Sequence, residues 1–217
     1  MKIKNLAYFI MAAVLTASLS SCNSNSQGEP WDSILKEYSA KPEVGQILLV
    51  KYKGGSLADA ELYVKEGRRW NLVDSCEAEV GRDGIGKERE GDMKTPTGEM
   101  GIGTAFGIKP NPGTSLPYIL ATDSIYGCED EEYYNQMIDT AVVHHVCTGE
   151  HIIDCVPAYN YGLTTTYNSE CIFGKGSNIY IHCKSSKPYT SGCVALDEPV
   201  MVHLLQVAGP GLVVSVH

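Results

Sequence analysis

The sequence has little positive charge for its size. It contains 17 Lys and Arg against 26 Asp and Glu in 217 residues, which gives a formal net charge of −9 at pH 7. Binding to nucleic acid or to anionic lipid headgroups usually requires a surplus of basic side chains. The composition therefore argues against a nucleic-acid partner. A local basic cluster between Arg68 and Arg89 is either a solvated loop or a surface for carboxylate groups.

The chain also lacks an N-terminal apolar run long enough to span a bilayer. The run from Leu6 to Leu15 follows Lys2 and Lys4, and it is shorter than the about 20 residues that a spanning helix needs. The small-residue segment from Leu19 to Cys22 comes next, as in the signal of a bacterial lipoprotein. We therefore predict a lipoprotein signal peptide over residues 1–21 and lipidation of Cys22. An uncleaved signal anchor and a merely secreted protein are the alternatives.

The segment after this cysteine is polar and contains no acidic run. Asn23 to Pro30 would form a flexible spacer, so that residues 22–45 hold the lipidated cysteine, the linker and a short helix. Residues 46–217 are then long enough for one domain with a sizeable core. No aspartate follows Cys22, which by resemblance to lipoprotein sorting rules predicts a lipid anchor in the outer membrane of the bacterial cell envelope, facing the periplasm.

Motifs for nucleotides and metals are missing. The segment Gly81 to Lys87 begins like a phosphate-binding loop, but Glu88 stands where Ser or Thr must coordinate magnesium. The spacing of the histidines and cysteines between 144 and 155 matches no familiar zinc module. We therefore predict neither a cofactor nor a metal ion.

Strand patterns dominate the rest of the chain. Segments rich in β-branched and aromatic residues between Gly, Pro and Asn predict strands at Gln46–Tyr52, Glu61–Lys65, Trp70–Glu79, Ile119–Thr122, Ala141–Val146, Tyr159–Tyr167, Ile179–Cys183 and Leu212–Val216. Helices are predicted at Trp31–Ser39, Glu131–Asp139 and Pro199–Ala208. The residues from Gly81 to Gly107 read as a long glycine-rich loop with short strands. The fold class is mainly β, with a few peripheral helices.

Eight cysteines are many for this length. Besides Cys22 and Cys193, six remain, and in an exported domain six cysteines suggest disulfide bonds, although they allow 15 complete pairings. Cys147 and Cys155 are close enough in sequence to close a small local loop.

A histidine at the end of an apolar strand precedes a cysteine on a glycine turn. His182 ends the run Ile179 to Cys183, and Cys193 follows Gly192. A hairpin through Lys184 to Tyr189 would bring the two side chains together, so that the imidazole takes the thiol proton and later returns it to a leaving amine. Gly192 permits a sharp turn, and the amides of residues 192 and 193 are candidates to face a developing oxyanion.

This segment resembles the signature of the L,D-transpeptidases of the YkuD (ErfK/YbiS) type. Thr190 to Leu196 reads T-S-G-C-V-A-L, similar to the branch with the pattern T-x-G-C-V-A-L, and Glu90 to Gly98 is similar to the family's G-D-x-x-T-P-x-G. Ser191 stands where the family pattern Ser/Thr-His-Gly-Cys has its histidine. The resemblance implies a YkuD-type β-sandwich and a ring of His182 oriented by the carbonyl of Cys183. It further makes Thr190 and Ser191 candidate substrate contacts.

The resemblance also implies a substrate. Acyl transfer through a cysteine thioester follows from the residues themselves, whereas peptidoglycan stem peptides follow from the family. The expected reaction forms 3-3 cross-links between stem peptides. If water replaces the acceptor amine, the same site is a carboxypeptidase or endopeptidase, and a catalytically idle wall-binding lipoprotein is a further alternative.

Overall fold

The computed structural model describes residues 30–217. The predicted signal peptide and Cys22 lie outside these residues. Among the described helices, none has both the length and the apolar character that crossing a membrane requires. The helices are α1 (Pro30–Ser39), α2 (Thr140–Val143) and α3 (Glu198–Val207), with short 3₁₀ helices at Ile152–Asp154 and Ala158–Asn160. The strands are β1 (Gln46–Gly54), β2 (Leu57–Glu66), β3 (Arg69–Glu79), β4 (Gly98–Gly107), β5 (Tyr118–Leu120), β6 (Ile125–Cys128), β7 (Gln136–Asp139), β8 (Gly149–His151), β9 (Gly162–Thr165), β10 (Tyr180–Cys183), β11 (Val194–Leu196) and β12 (Leu212–Val216).

Nine of these strands form one sheet in the order β12-β1-β2-β3-β11-β10-β9-β4-β5. Strand β4 also pairs with β12, so the hydrogen bonding runs round a closed circuit. Strand β2 alternates as a sheet with one buried face requires, with Ala58, Ala60 and Leu62 buried in the interior. The predicted mainly β fold with few helices is confirmed.

Two helices cover different parts of this sheet. Strand β1 is buried on both faces, because Leu48 and Val50 belong to the interior cluster while Ile47 and Leu49 pack with Tyr38 of the α1 helix. Helix α3 follows Asp197 with a proline in its first turn, as predicted, and buries Met201, Leu204 and Leu205 in the interior cluster. It also contacts β10, so it supports the strand that carries His182.

The predicted hairpin between His182 and Cys193 is wrong. Strands β10 and β11 are parallel, with Ile181 opposite Val194 and His182 opposite Ala195. After β10 the chain crosses to the end of β3, where the amide of Thr190 donates to the carbonyl of Val80 at 2.9 Å. It then turns at Gly192 and enters β11 in the original direction, so the two residues still lie near each other by another route.

Three secondary-structure predictions also fail. The β-branched run Ala141–Val146 begins with the short helix α2, because the Asp139 side chain caps the amide of Ala141 and Val142, 72% exposed, has no core to pack against. The predicted helix Glu131–Asp139 does not form: residues 131–135 make bends and a turn, in which Asn135 has a φ of +59°, and the rest is β7. The predicted loop Gly81–Gly107 contains the ten-residue strand β4, which joins β9 to β12.

A second, three-stranded sheet lies in the order β7-β6-β8. A disulfide joins Cys128, at the end of β6, to Cys147, just before β8. The predicted Cys147–Cys155 loop is therefore wrong. Within the described residues, Cys76, Cys155, Cys171, Cys183 and Cys193 are free thiols.

Candidate active site

Strand β10 holds the ring of His182 in one orientation. The residue is only 8% exposed, and its Nδ1 lies 2.7 Å from the carbonyl oxygen of Cys183. Because a carbonyl can only accept, Nδ1 carries the proton, and Nε2 is the nitrogen with a free lone pair in the neutral ring. Burial lowers the pKa of His182 to about 4, although the hydrogen bond to the Cys183 carbonyl acts in the opposite direction. At neutral pH the ring is thus an uncharged proton acceptor.

The sulfur of Cys193 is held by the backbone of the segment that leads into β10. It accepts from the amide of Tyr180 at 3.3 Å and lies 3.2 Å from the carbonyl oxygen of Asn178, to which the thiol donates. Burial first, and the charge of Glu150 second, raise the pKa of the Cys193 thiol to about 12. The resting pair is therefore a thiol and a neutral imidazole. The thiol must lose its proton as it attacks rather than before.

Two threonines fix the loop that carries this cysteine. The carbonyl of Cys193 accepts from Thr190 Oγ1 at 2.7 Å and from Thr95 Oγ1 at 3.0 Å. Thr190 Oγ1 in turn accepts from the amide of Gly192 at 3.1 Å. The hydroxyl of Thr190 is thus engaged inside the protein, and the substrate contact predicted for this residue stays a prediction. The Gly192 amide is also occupied, so among the described residues only the Cys193 amide of this pair has no acceptor.

Gly192 is required by conformation. Its φ is +150°, a region that side chains rarely tolerate, and an added Cβ would lie 2.9 Å from the carbonyl oxygen of Lys94. The predicted sharp turn is therefore present. Its role here is to bring the Cys193 backbone close to the loop that contains Lys94.

Cys193 and His182 line the same cavity, of about 160 Å³. Thr190 and Ser191 also line it, and Ser191 is exposed, so that of the two predicted substrate contacts it is the one open to a ligand. Tyr159 also lines the cavity, and its ring packs edge-on against the His182 ring with centroids 5.3 Å apart. The structure thus brings Cys193 and His182 to one cavity, with Gly192 next to Cys193 in the chain and the Cys183 carbonyl bonded to the His182 ring.

A second, smaller cavity, of about 50 Å³, is also lined by Cys193. Three carboxylates line it, those of Glu90, Glu129 and Glu150, together with Lys87. The predicted basic cluster reaches the site only through this lysine, which is buried in an ion pair with Asp92 at 2.9 Å. Glu150 and Tyr159 were not predicted as site residues. No motif marks them, because Glu150 belongs to β8 of the second sheet and Tyr159 to the 3₁₀ helix Ala158–Asn160, and only the tertiary packing brings them to the cysteine.

The sequence predicts no metal site, and the described residues contain one cluster of side chains that could be metal ligands. Cys128, Asp130 and Cys147 lie within ligand distance of one another among the described residues. Both cysteines are in the disulfide, so neither offers a thiolate. His145 and His151 bond instead to Asp130 and Asp154, at 3.0 and 2.7 Å.

Comparisons with known proteins give the family of this chain. Residues 51–216 match the family model YkuD, the L,D-transpeptidase catalytic domain. No curated protein matches the chain. Among solved structures, the helical cell shape determining protein Pgp2 from Campylobacter jejuni is similar, with 16% identity, a TM-score of 0.43, and coverage of 85% of this chain and 54% of that one. Bd1075 from Bdellovibrio bacteriovorus is 15% identical with a TM-score of 0.43, and the match covers 80% of this chain and 48% of that one.

The chain thus spans about half the length of the solved structures that it matches. The family model, in contrast, covers most of the chain, and its residues include the whole closed sheet apart from the start of β1. The chain belongs to the YkuD family of L,D-transpeptidase catalytic domains.

Proposed function

We propose that this protein is a peptidoglycan L,D-transpeptidase, with Cys193 as the nucleophile and His182 as the base. The observation that carries the proposal is the shared cavity, which is lined by Cys193 and by His182, and the tautomer of His182 is set by the Cys183 carbonyl. Acyl transfer needs a nucleophile, a base with a free lone pair and room for an acyl group, and this cavity supplies all three.

The first half of the reaction is acylation. The sulfur forms a bond to the carbonyl carbon that joins the diamino acid of a tetrapeptide stem to its terminal D-alanine, and Nε2 of His182 takes the thiol proton. The C–N bond breaks, and the same proton goes to the departing amine. The Cys193 amide, which has no acceptor among the described residues, is the donor for the oxyanion. Thr190 and Gly192 act by positioning that amide, and Ser191 contacts the substrate.

The second half resolves the thioester. An amine from a neighbouring stem forms the new amide bond, the C–S bond breaks, and the sulfur recovers its proton through His182. The product is a 3-3 cross-link. If water attacks instead, the product is a shortened stem, so the same site would act as a carboxypeptidase or endopeptidase. We further propose that a lipid on Cys22 holds the domain at the outer membrane, facing its substrate in the periplasm.

Product analysis tests the proposal. The full-length protein is incubated with disaccharide tetrapeptides, and the muropeptides are separated and weighed. Cross-linked dimers with a released D-alanine are expected from the wild type and from neither Cys193→Ala nor His182→Gln. Tripeptides alone would make the protein a hydrolase. Binding to peptidoglycan without any product would make it a wall-binding protein and overturn the proposal.

A further inference from the structure

Glu150 occupies a position that the proposed chemistry does not yet use. Two cavities border Cys193, and three residues line both of them: Cys193 itself, the exposed Ser191, and Glu150. Glu150 therefore lies beside the nucleophile in both cavities. A ligand that enters either cavity therefore comes close to Glu150.

The carboxylate is held in place from both ends. Glu150 lies in β8, opposite Gly127 of β6, and the Cys128–Cys147 disulfide ties these two strands together. At its tip, the hydroxyl of Tyr159 donates to the Glu150 carboxylate. The ring of Tyr159 packs edge-on against His182. Glu150 is thus fixed relative to both the base and the nucleophile.

The charges around Glu150 leave this region negative. Lys87 is buried in its ion pair with Asp92, and Lys187 is exposed at the rim of the larger cavity. Glu90 is held by hydroxyl donors, Tyr134 at 2.5 Å and Ser177 at 2.7 Å. Among the described residues, neither Glu150 nor Glu129 has a salt-bridge partner. A cation is the ligand that such a pair of cavities attracts.

Building on the proposed function, we infer that Glu150 receives the acceptor: its carboxylate binds the ammonium group of the incoming stem's diamino acid and takes one proton from it. An alkyl amine with a pKa of about 10.4 is free base in only about one molecule in 10³ at neutral pH. It must therefore lose a proton before it can attack the thioester. Glu150 lies beside Cys193 in both cavities, so its carboxylate is placed to take that proton.

Each proton in this step has a destination. The ammonium nitrogen gives one proton to Glu150, and its lone pair forms the bond to the thioester carbon. The C–S bond breaks with its electron pair on sulfur, the second proton passes from nitrogen through His182 to the sulfur, and Glu150 releases its proton to water. Burial raises the pKa of Glu150 to about 7, opposed by the Tyr159 hydroxyl and supported by Glu129 and Glu90. The other titratable groups near it are Cys155, Tyr180 and Cys193.

The test separates acylation from acceptor use. In Glu150→Gln the side chain keeps its shape and still accepts from Tyr159, but it neither attracts an ammonium group nor accepts a proton. The full-length variant is acylated with a tetrapeptide stem, followed by intact mass, and the resulting acyl-enzyme is challenged with increasing concentrations of an amine-bearing stem. Glu132→Gln, an exposed carboxylate outside both cavities, is the matched control.

We expect acylation within about threefold of wild type, and kcat/KM for the acceptor lowered about 100-fold. The limb of its pH profile near pH 7 should disappear, and Glu150→Asp should restore part of both. Unchanged acceptor kinetics in a normally acylated Glu150→Gln would overturn the inference while leaving the proposed function intact. A folded Glu150→Gln that fails to acylate would also overturn it, because the defect would then precede the acceptor. A wild type that forms no acyl-enzyme would instead overturn the proposed function.

Discussion

The interior of the closed sheet and the region around Cys193 are both buried, but they are built from different side chains. The interior is aliphatic, with residues such as Leu48, Leu62 and Met201 fully buried. The cluster that contains Cys193 also has buried aromatic rings, those of Phe106, Tyr159 and Tyr180. Aliphatic side chains offer only packing, whereas buried tyrosines also carry a hydroxyl that needs a partner.

Those hydroxyl groups connect the site to polar side chains. Tyr159 donates to Glu150, and Tyr180 donates to the Asn178 side chain at 2.8 Å. Asn178 also supplies the carbonyl that holds the sulfur. We therefore expect the two regions to have different roles. The interior supplies most of the stability, and the aromatic cluster positions the reacting groups at some cost in stability. Three substitutions test this difference, beginning with the largest expected effect.

Leu62→Ala tests the interior. Leu62 is fully buried in β2, so truncation removes apolar contacts and leaves a cavity that rigid strands on both sides cannot fill. We expect the free energy of unfolding to fall by about 2–5 kcal/mol, measured by urea denaturation. Turnover per folded molecule should stay within about twofold of wild type. A large loss of turnover at unchanged stability would show that the two regions are not separate.

The pH dependence of the free energy of unfolding tests how much stability the buried site costs. The pKa of His182 is about 4 in the folded protein, against about 6.5 when unfolded, so the unfolded chain binds a proton that the folded one excludes. Its contribution to stability is therefore present above pH 6.5 and is lost as the pH falls towards 4. Glu150, with its pKa raised to about 7, acts in the opposite direction over part of this window.

Comparing wild type with His182→Gln isolates the histidine from Glu150. Between pH 7 and 4.5 the variant should lose about 2–3 kcal/mol less of its free energy of unfolding than the wild type. Chemical denaturation at each pH measures it. Parallel curves for the two proteins would show that His182 is not held neutral in the folded state.

Thr190→Val sharpens the comparison with a small change inside the site. Valine has nearly the same shape, but the Cys193 carbonyl loses one donor and the Gly192 amide loses its acceptor. We expect about 1–2 kcal/mol of lost stability and a fall in kcat that exceeds any change in KM. Thr190→Ser, which restores the hydroxyl, should recover most of kcat. A change confined to KM would return Thr190 to the role of a substrate contact.

Local patterns in the sequence predict the elements whose contacts are close in the chain. Helix α3 shows its apolar face and its proline, and His182 and Cys193 stand in motifs that the chain displays directly. The Cys183 carbonyl contact with the ring, implied by the family resemblance, involves neighbouring residues. Such features depend on few distant partners.

The parts that sequence reasoning missed depend on long-range pairing. The direction of β11 is set by its pairing with β3 and β10, so a short connection after His182 looked like a hairpin although the strands are parallel. Glu150 reaches the site because β8 pairs with β6, some 20 residues earlier in the chain, and the Cys128–Cys147 disulfide belongs to the same packing. Neither pairing leaves a signal in the local sequence.

The central claim is that Cys193 is a nucleophile activated by His182 inside one cavity. Its most direct test is the intact mass of the full-length protein after incubation with a carbapenem, whose β-lactam carbonyl acylates an activated thiol. We expect one covalent adduct on the wild type, none on Cys193→Ala, and formation slowed about 10²–10⁴-fold in His182→Gln. An adduct that persists in Cys193→Ala, or one that forms at the wild-type rate without His182, would contradict the account.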